Sequence, residues 1–189
     1  MSGMSICGWL WCAWLVIWLL WAIRAKPAQT REGVSSRLSY MIFTLAAFYM
    51  MFRGEVPQAW LSTRLFAAKP WTEVLAIVVT AAGLGFAAWA RAYLGSNWSS
   101  AVTVKVEHQL VRSGPYRWVR HPIYSGMILA MLGTALERRQ VRGLVAVVLL
   151  YAGFKIKGKI EEHAMMATFG PDYEGYSRTT GAIIPRLRM

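Results

Sequence analysis

The 189-residue chain contains few charged residues and only two cysteines. Charged side chains account for 16% of it, whereas soluble proteins average roughly 25%. Both cysteines, Cys7 and Cys12, lie in the first apolar run, so we expect buried free thiols and neither a disulfide framework nor a metal site. The first 23 residues contain no charged side chain. A signal peptide needs a basic segment before its apolar core, so this run is expected to be an uncleaved spanning helix.

Acidic residues are scarcer than basic ones, with nine Asp and Glu against 21 Lys and Arg and a formal net charge of +12. The basic residues are spread between apolar runs and form no stripe with interleaved aromatics, so we expect no nucleic-acid partner. Attraction to anionic membrane lipids is a simpler explanation. Hydrophobic residues make up 56% of the chain, which is typical of an integral, multi-pass membrane protein. The tryptophans of the first run are typical of lipid-facing or interfacial packing.

Apolar runs of near-membrane length predict an all-α bundle of about five membrane helices. The predicted runs are Met4–Ile23, Leu38–Phe52, Thr72–Leu94, Pro122–Leu136 and Gly143–Phe154. The second run is short, so its helix is expected either to include Ser35 and Ser36 or to tilt little in the membrane. The last two runs form a helical hairpin whose arms measure only about 18–23 Å. The hairpin therefore either barely crosses the bilayer or packs against other helices.

Two regions are predicted from these runs, a three-helix membrane region at 1–94 and a core at 95–189. The core consists of a polar loop, the hairpin and a C-terminal segment.

Basic residues in short loops predict the orientation of the bundle. The segments 24–37, 95–121 and 155–189 each hold at least four, so we place them in the cytoplasm and the N-terminus outside. The turn at 137–142 conflicts with this rule because its three arginines would then face outward.

A polar, basic loop precedes the hairpin. Gly114 and Pro115 predict a turn within it, and Pro122 fixes the start of the next helix. One interpretation is a solvated loop that touches phosphates. The other is a cradle for an amino-acid-like or nucleotide-like ligand, because free N–H groups at a helix start favour a carboxylate. Five basic side chains gather within the last fourteen residues of the loop: His108, Arg112, Arg117, Arg120 and His121.

Two glutamates and two tyrosines follow the hairpin. Glu161 and Glu162 are either solvated and paired with nearby lysines, or one of them meets a ligand ammonium. Neighbouring residues of a helix point about 100° apart, so we expect at most one to face a given pocket. Tyr173 and Tyr176 either pack against the fold or close a lid over the site.

Two sequence blocks, in this order, resemble the isoprenylcysteine carboxyl methyltransferases. The first contains His108-Gln109-Leu110-Val111, Ser113-Gly114-Pro115-Tyr116 and Arg120-His121-Pro122-Ile123-Tyr124-Ser125-Gly126. The second contains Glu161-Glu162, Phe169-Gly170, Tyr173, Tyr176 and Pro185. The resemblance covers the chain from Leu94 to Pro185, about half of its length, and the two blocks together are more specific than either alone.

The resemblance implies a membrane enzyme that binds S-adenosylmethionine on its cytosolic side and methylates a lipophilic acceptor entering from the bilayer. Lys157 matches the family's basic residue for the acceptor, and Glu162 is the second catalytic candidate. Lysine offers a point charge rather than the two-pronged fork of arginine. A prenylated cysteine carboxylate, a phospholipid amine and another apolar acid or amine therefore stay open as acceptors. The implied cofactor-binding residues are His108, Gln109, Leu110, Val111, Tyr116, His121, Pro122, Ile123, Tyr124 and Glu161.

Two other classes of protein stay open. Sterol-reductase-like enzymes that use NADPH share the Arg-His-Pro-x-Tyr-x-Gly stretch, although their tail differs and they have more spans. A non-enzymatic membrane scaffold or permease subunit predicts that the polar loop binds no nucleotide-like ligand.

Overall fold

The computed structural model describes residues 5–23, 33–54, 58–95 and 110–186. These residues contain six α-helices and no strand longer than an isolated bridge, so the all-α prediction is confirmed. The helices are α1 (Ile6–Ile23), α2 (Val34–Phe52), α3 (Pro70–Leu94), α4 (Pro122–Arg138), α5 (Val141–Phe169) and α6 (Pro171–Thr179). Within these ranges, α1 and α3 are long and apolar enough to cross a membrane. A total of five membrane helices stays a prediction.

The observed helix boundaries agree with the residues that the sequence predicts to begin or end helices. Helix α2 begins at Val34 and so includes Ser35 and Ser36, the first of the two expected alternatives. The returning arm of the hairpin is the first half of α5, a helix of 29 residues and about 43 Å. Helix α5 ends where Gly170 adopts a φ of 48°, a left-handed value that favours glycine, and Pro171 then begins α6.

Small residues let α3 and α4 lie against each other. A Cβ atom on Gly83 would stand 2.4 Å from the backbone nitrogen of Ala130, and one on Gly126 would stand 2.6 Å from the carbonyl oxygen of Gly83. Further along the pair, a Cβ on Gly133 would stand 2.5 Å from the backbone nitrogen of Thr80. Membrane helices associate through such small-residue contacts because lipid gives them little hydrophobic driving force.

Two sequence expectations about α1 hold for only some of their residues. Trp9 is 62% exposed, as expected for a lipid-facing tryptophan. Trp11 and Trp14 are buried rather than lipid-facing, and the Trp11 indole N–H donates to the Thr134 hydroxyl of α4 at 2.9 Å. A buried indole N–H needs such a partner. Cys12 is exposed, whereas Cys7 is buried as expected. Five residues turn an α-helix by about 500°, which brings the two thiols to different sides of α1.

The helix ends form two groups. At one end, the Ser5 hydroxyl donates to Glu137 at 2.8 Å and the Leu65 N–H donates to the Arg139 carbonyl at 2.8 Å. At the other end, the Tyr93 hydroxyl of α3 bonds Ser113 of the polar loop at 2.8 Å. The start of α1 and the 137–142 turn therefore share one end, and the polar loop lies at the other, in agreement with the predicted grouping of loops.

Two arginines of the 137–142 turn have a structural role. Arg138 donates to the carbonyl oxygen of Met51 at 2.7 Å, and Arg142 donates to that of Arg53 at 2.9 Å. These carbonyls belong to the C-terminal end of α2, where the helix has acceptors without intrahelical partners. The two guanidinium groups thus cap α2.

Candidate functional site

The polar loop and the tail of the chain fold against each other. The backbone N–H of Arg120 donates to the carbonyl of Gly181 at 2.8 Å, and that of His121 donates to Ala182 at 2.9 Å. The Tyr176 hydroxyl donates to the carbonyl of Tyr116. The two sequence blocks, which lie 35 or more residues apart along the chain, therefore form one structural unit.

His121 lies between the two glutamates of α5. Its Nδ1 is 3.2 Å from Oε2 of Glu161, and its Nε2 is 3.1 Å from Oε1 of Glu162. The His121 side chain is only 9% exposed. The ring fits here because position 158, which faces it, is glycine: a Cβ on Gly158 would stand 3.3 Å from Nε2. The structure therefore brings together His121, Glu161 and Glu162.

The expectation that only one glutamate would face this region is wrong. Glu161 and Glu162 do diverge around α5, but the imidazole lies between them and presents one nitrogen to each. The two nitrogens point in different directions from the same ring, so the ring reaches both carboxylates without distorting the helix.

Arg120 completes the ionic cluster and fastens the tail to it. Its Nε and one terminal nitrogen contact Oε1 of Glu162 at 2.9 and 2.6 Å. Its other terminal nitrogen donates to the carbonyl of Ser177 at 2.9 Å and also to that of Thr180. One guanidinium thus joins the loop, α5 and the end of α6. We call Arg120, His121, Glu161 and Glu162 the ionic cluster.

The ionic cluster shifts the titration of its own members. Burial alone would lower the pKa of His121, but hydrogen bonds and charge from both glutamates outweigh it and raise this pKa above 6.5. Burial alone would raise the carboxyl pKa values, but hydrogen bonds from His121 and the charges of Lys157 at Glu161 and Arg120 at Glu162 lower both below 4.5. These shifts favour the protonated form of His121 and the ionised forms of both glutamates.

Tyr124 borders the ionic cluster from the first turn of α4. Its hydroxyl donates to Oε1 of Glu161, and its ring stacks on the His121 ring at 5.3 Å between centroids and on Phe154 of α5 at 4.5 Å. Stacking on two sides and the hydroxyl bond fix the ring in place.

Lys157 lies one turn before Glu161 on α5. Its Nζ is 4.0 Å from Oε1 of Glu161 and lies over two aromatic rings, 5.4 Å from the centroid of Tyr40 and 5.6 Å from that of Tyr124. Tyr40 belongs to α2, a helix for which the sequence predicted no functional residue. No motif surrounds Tyr40, so its nearness to Lys157 is visible only once α2 is paired with α5.

The remaining predicted residues differ in how far they are buried. Tyr116, Pro122 and Ile123 are buried, and Leu110 and Val111 are partly buried, with Val111 against the hydrophobic core. His108 and Gln109 lie outside the described residues. Tyr173 and Tyr176 are buried beneath the polar loop, which fits the packing interpretation rather than a lid.

A cavity of about 670 Å³ lies between α3, α4, the polar loop and the tail. Apolar side chains dominate one part of its wall, whereas Arg117 and Arg186 bring positive charge to it. Trp118 stacks on Phe86 of α3 at 6.4 Å, which ties the loop to a helix of membrane-spanning length. The apolar wall residues are Phe86, Trp118, Val119, Leu129, Ile183 and Pro185.

Comparison with known proteins confirms the resemblance found in the sequence. A sequence profile of the family described as phospholipid methyltransferase matches residues 71–172. Protein-S-isoprenylcysteine O-methyltransferase of Saccharomyces cerevisiae is 33% identical over 94 residues, which cover 48% of this chain and 39% of the yeast protein. The uncharacterized protein YpbQ of Bacillus subtilis is 27% identical over 115 residues, which cover 58% of this chain and 61% of that protein.

A solved structure of the eukaryotic intramembrane Ras methyltransferase ICMT, an isoprenylcysteine carboxyl methyltransferase, aligns with a TM-score of 0.47 and 25% sequence identity. The alignment covers 79% of this chain and 50% of that one. The chain therefore spans 39% to 61% of the two relatives and half of the solved chain.

Proposed function

Because the chain belongs to the phospholipid methyltransferase family, we propose that it is a membrane enzyme that moves a methyl group from S-adenosylmethionine to a lipophilic acceptor. The observation that carries this proposal is the position of His121 between Glu161 and Glu162. This contact joins the two sequence blocks that resemble isoprenylcysteine carboxyl methyltransferases, and we propose that together they form one binding site.

The charges of the ionic cluster fit the methyl donor. The amino-acid part of S-adenosylmethionine carries an ammonium and a carboxylate, and the cluster offers two carboxylates beside a guanidinium and an imidazolium. When bound, the donor supplies a methyl group activated by a positively charged sulfur. The residues proposed to hold it are His108, Gln109, Leu110, Val111, Tyr116, His121, Pro122, Ile123, Tyr124 and Glu161.

The chain's own residues contribute mainly by positioning. Methyl transfer is an in-line displacement that needs little covalent chemistry from the protein, so holding the two reactants in line supplies most of the acceleration. Glu162 holds Arg120 and His121 in place, while the buried wall of Tyr116 and Tyr124 limits access of water. Lys157, partly buried beside Glu161, is the candidate to orient a polar group of the acceptor.

The cavity between α3, α4, the polar loop and the tail suits a lipophilic acceptor. Its apolar wall matches a hydrocarbon chain, and the guanidinium groups of Arg117 and Arg186 match a carboxylate or phosphate. Phe86 of α3 lines the cavity, and α3 is long and apolar enough to cross a membrane, so a lipophilic acceptor could enter the cavity from the bilayer. A prenylated cysteine carboxylate meets these conditions. So does a phospholipid amine, which the description of the matching family favours.

Ligand titration of the protein purified in detergent tests the proposal. We expect saturable binding of S-adenosylhomocysteine, the demethylated donor, and no binding of NADPH by calorimetry. Glu161→Gln should weaken this binding about 10- to 100-fold, because a hydrogen bond to a charged group contributes about 1.5–3 kcal/mol. Glu174→Gln, on the exposed side of α6, is the matched control and should bind normally.

The outcomes separate the classes of protein. Binding of NADPH alone identifies a reductase-like enzyme, and binding of neither ligand identifies a scaffold. Transfer of a labelled methyl group to lipid extracts then defines the acceptor: base releases the label from a carboxyl methyl ester but not from an N-methyl amine.

A further inference from the structure

Three groups from three helices surround the ammonium of Lys157. They are the ring of Tyr40 on α2, the ring of Tyr124 on α4 and the carboxylate of Glu161 on α5, and we call them the cation cage. The Lys157 nitrogen lies within 6 Å of both ring centroids and 4.0 Å from the carboxylate. Both tyrosines are buried, at 6% and 8% exposure.

Aromatic faces and a carboxylate together attract organic cations. The negative face of an aromatic ring binds a cation within about 6 Å, and groups of such rings are the usual receptors for methylated ammonium groups. A sulfonium carries the same unit charge surrounded by methyl or methylene groups. The chemistry of the cage therefore suits a sulfonium or alkylated ammonium at least as well as a lysine.

We propose that the cation cage binds the positively charged group of a ligand, and that Lys157 occupies the cage in the ligand-free protein. This inference rests on the proposed function, because the sulfonium of S-adenosylmethionine is the cation that such a ligand would bring. The lysine then competes with the methyl donor, and it becomes available to the acceptor only when the donor has taken its place.

The walls of the cage are fixed by packing. Helix α2 approaches α5 closely at Gly153, where a Cβ would stand 3.1 Å from the carbonyl oxygen of Tyr40. This approach brings Tyr40 against the turn of α5 that carries Lys157. Tyr124 is held by two ring contacts and its bond to Glu161.

Lys157 is the adjustable member of the group. Its ammonium stands on a stem of four methylene groups with several rotatable bonds, whereas the tyrosines have two. A ligand cation and the lysine ammonium repel each other, so both cannot occupy the space between the rings. Displacement of the lysine costs part of the binding free energy of a charged donor. A neutral ligand with the same remaining groups does not meet this competition.

Comparison of S-adenosylmethionine with S-adenosylhomocysteine isolates the cage, because the two differ by the methyl group and positive charge on sulfur. For Lys157→Gln we expect the affinity for S-adenosylmethionine to rise about tenfold relative to that for S-adenosylhomocysteine. Lys159→Gln removes the same charge from an exposed position of α5 and should leave this ratio unchanged.

Replacement of a ring provides the second test. Tyr40→Leu should lower the affinity for S-adenosylmethionine about three- to tenfold and leave S-adenosylhomocysteine unaffected. Tyr40→Phe keeps the aromatic face and should behave as the original protein does. Calorimetry measures both affinities, and a cooperative melting curve verifies that each variant folds.

The results separate this inference from the proposed function. An unchanged affinity ratio in Lys157→Gln, or equal losses for both ligands in Tyr40→Leu, refutes the cage while leaving the methyltransferase proposal intact. If the original protein binds neither ligand, both fail.

Discussion

At the scale of single residues, the proton on His121 governs how firmly α5 is joined to the polar loop. The imidazole of His121 contacts both glutamates, and Arg120 joins Glu162 to the tail. Removing one partner from a buried ionic group is costly, at about 3–5 kcal/mol, because the remaining charges lose their compensation. The ionic cluster therefore holds the polar loop, α5 and the tail together, and it is also a candidate binding site.

The ionic cluster predicts a pH optimum of stability. Folding raises the pKa of His121, so its contribution is complete below pH 6.5 and is lost as pH rises through the folded-state value. Folding lowers the pKa of Glu161 and Glu162, so their contribution is present above pH 4.5 and is lost on acidification. We expect the cluster to stabilise the protein most between about pH 4.5 and 6.5.

Thermal melts in detergent check this optimum. His121→Gln should abolish the loss of stability that follows deprotonation of His121 at higher pH. His163→Gln, at an exposed position of the same helix, should retain the pH profile of the original protein. Identical profiles for His121→Gln and the original protein would contradict the assignment.

The sequence predicted the members of the ionic cluster because local motifs contain them. It did not predict Tyr40, which lies in an ordinary apolar run and approaches Lys157 only through the pairing of α2 with α5. It did not predict that both glutamates contact one side chain, because helix geometry gives the directions of side chains but not the position of the ring between them.

At the scale of helices, the contact between α3 and α4 depends on particular glycines. The helices themselves could be predicted from apolar runs and from proline and glycine at their ends. Their partners could not, because many small residues occur in the apolar runs and only the packed structure distinguishes those at the contact. Gly83 and Gly85 lie two positions apart on α3, yet only Gly83 faces α4 closely.

A pair of alanine substitutions tests this contact. Gly83→Ala would place a methyl group against backbone atoms of α4, which cannot move independently, and should destabilise the protein by about 1–3 kcal/mol. Gly85→Ala meets nothing within 4 Å and should be neutral or stabilise by up to about 1 kcal/mol. Melting temperatures in detergent measure both effects. A melting temperature of Gly83→Ala equal to that of Gly85→Ala would refute the close approach.

At the scale of the whole molecule, the two groups of helix ends predict opposite exposure across the membrane. Leu65 lies at the end that contains the 137–142 turn, and Arg178 lies in the exposed part of α6 beside the ionic cluster. The sequence could predict this grouping from loop charges. It left the arginines of the turn unexplained because charge counting does not distinguish arginines that cap α2 from those that face lipid head groups.

Cysteine labelling tests the orientation. In a background with Cys7→Ala and Cys12→Ala, a membrane-impermeant maleimide should label Leu65→Cys in intact cells. Arg178→Cys should react only after the membrane is opened, because we place the ionic cluster in the cytoplasm. The reverse pattern would invert the predicted topology, and equal labelling in intact cells would exclude opposite exposure.

The backbone bonds from the polar loop to Gly181 and Ala182 also have a consequence for biosynthesis. These two residues follow every apolar run in the chain, so a ribosome makes them only after the helices of the bundle have been synthesised. A growing chain therefore lacks these bonds between the loop and the tail while its helices enter the lipid. We expect the proposed binding of S-adenosylmethionine to begin only after insertion.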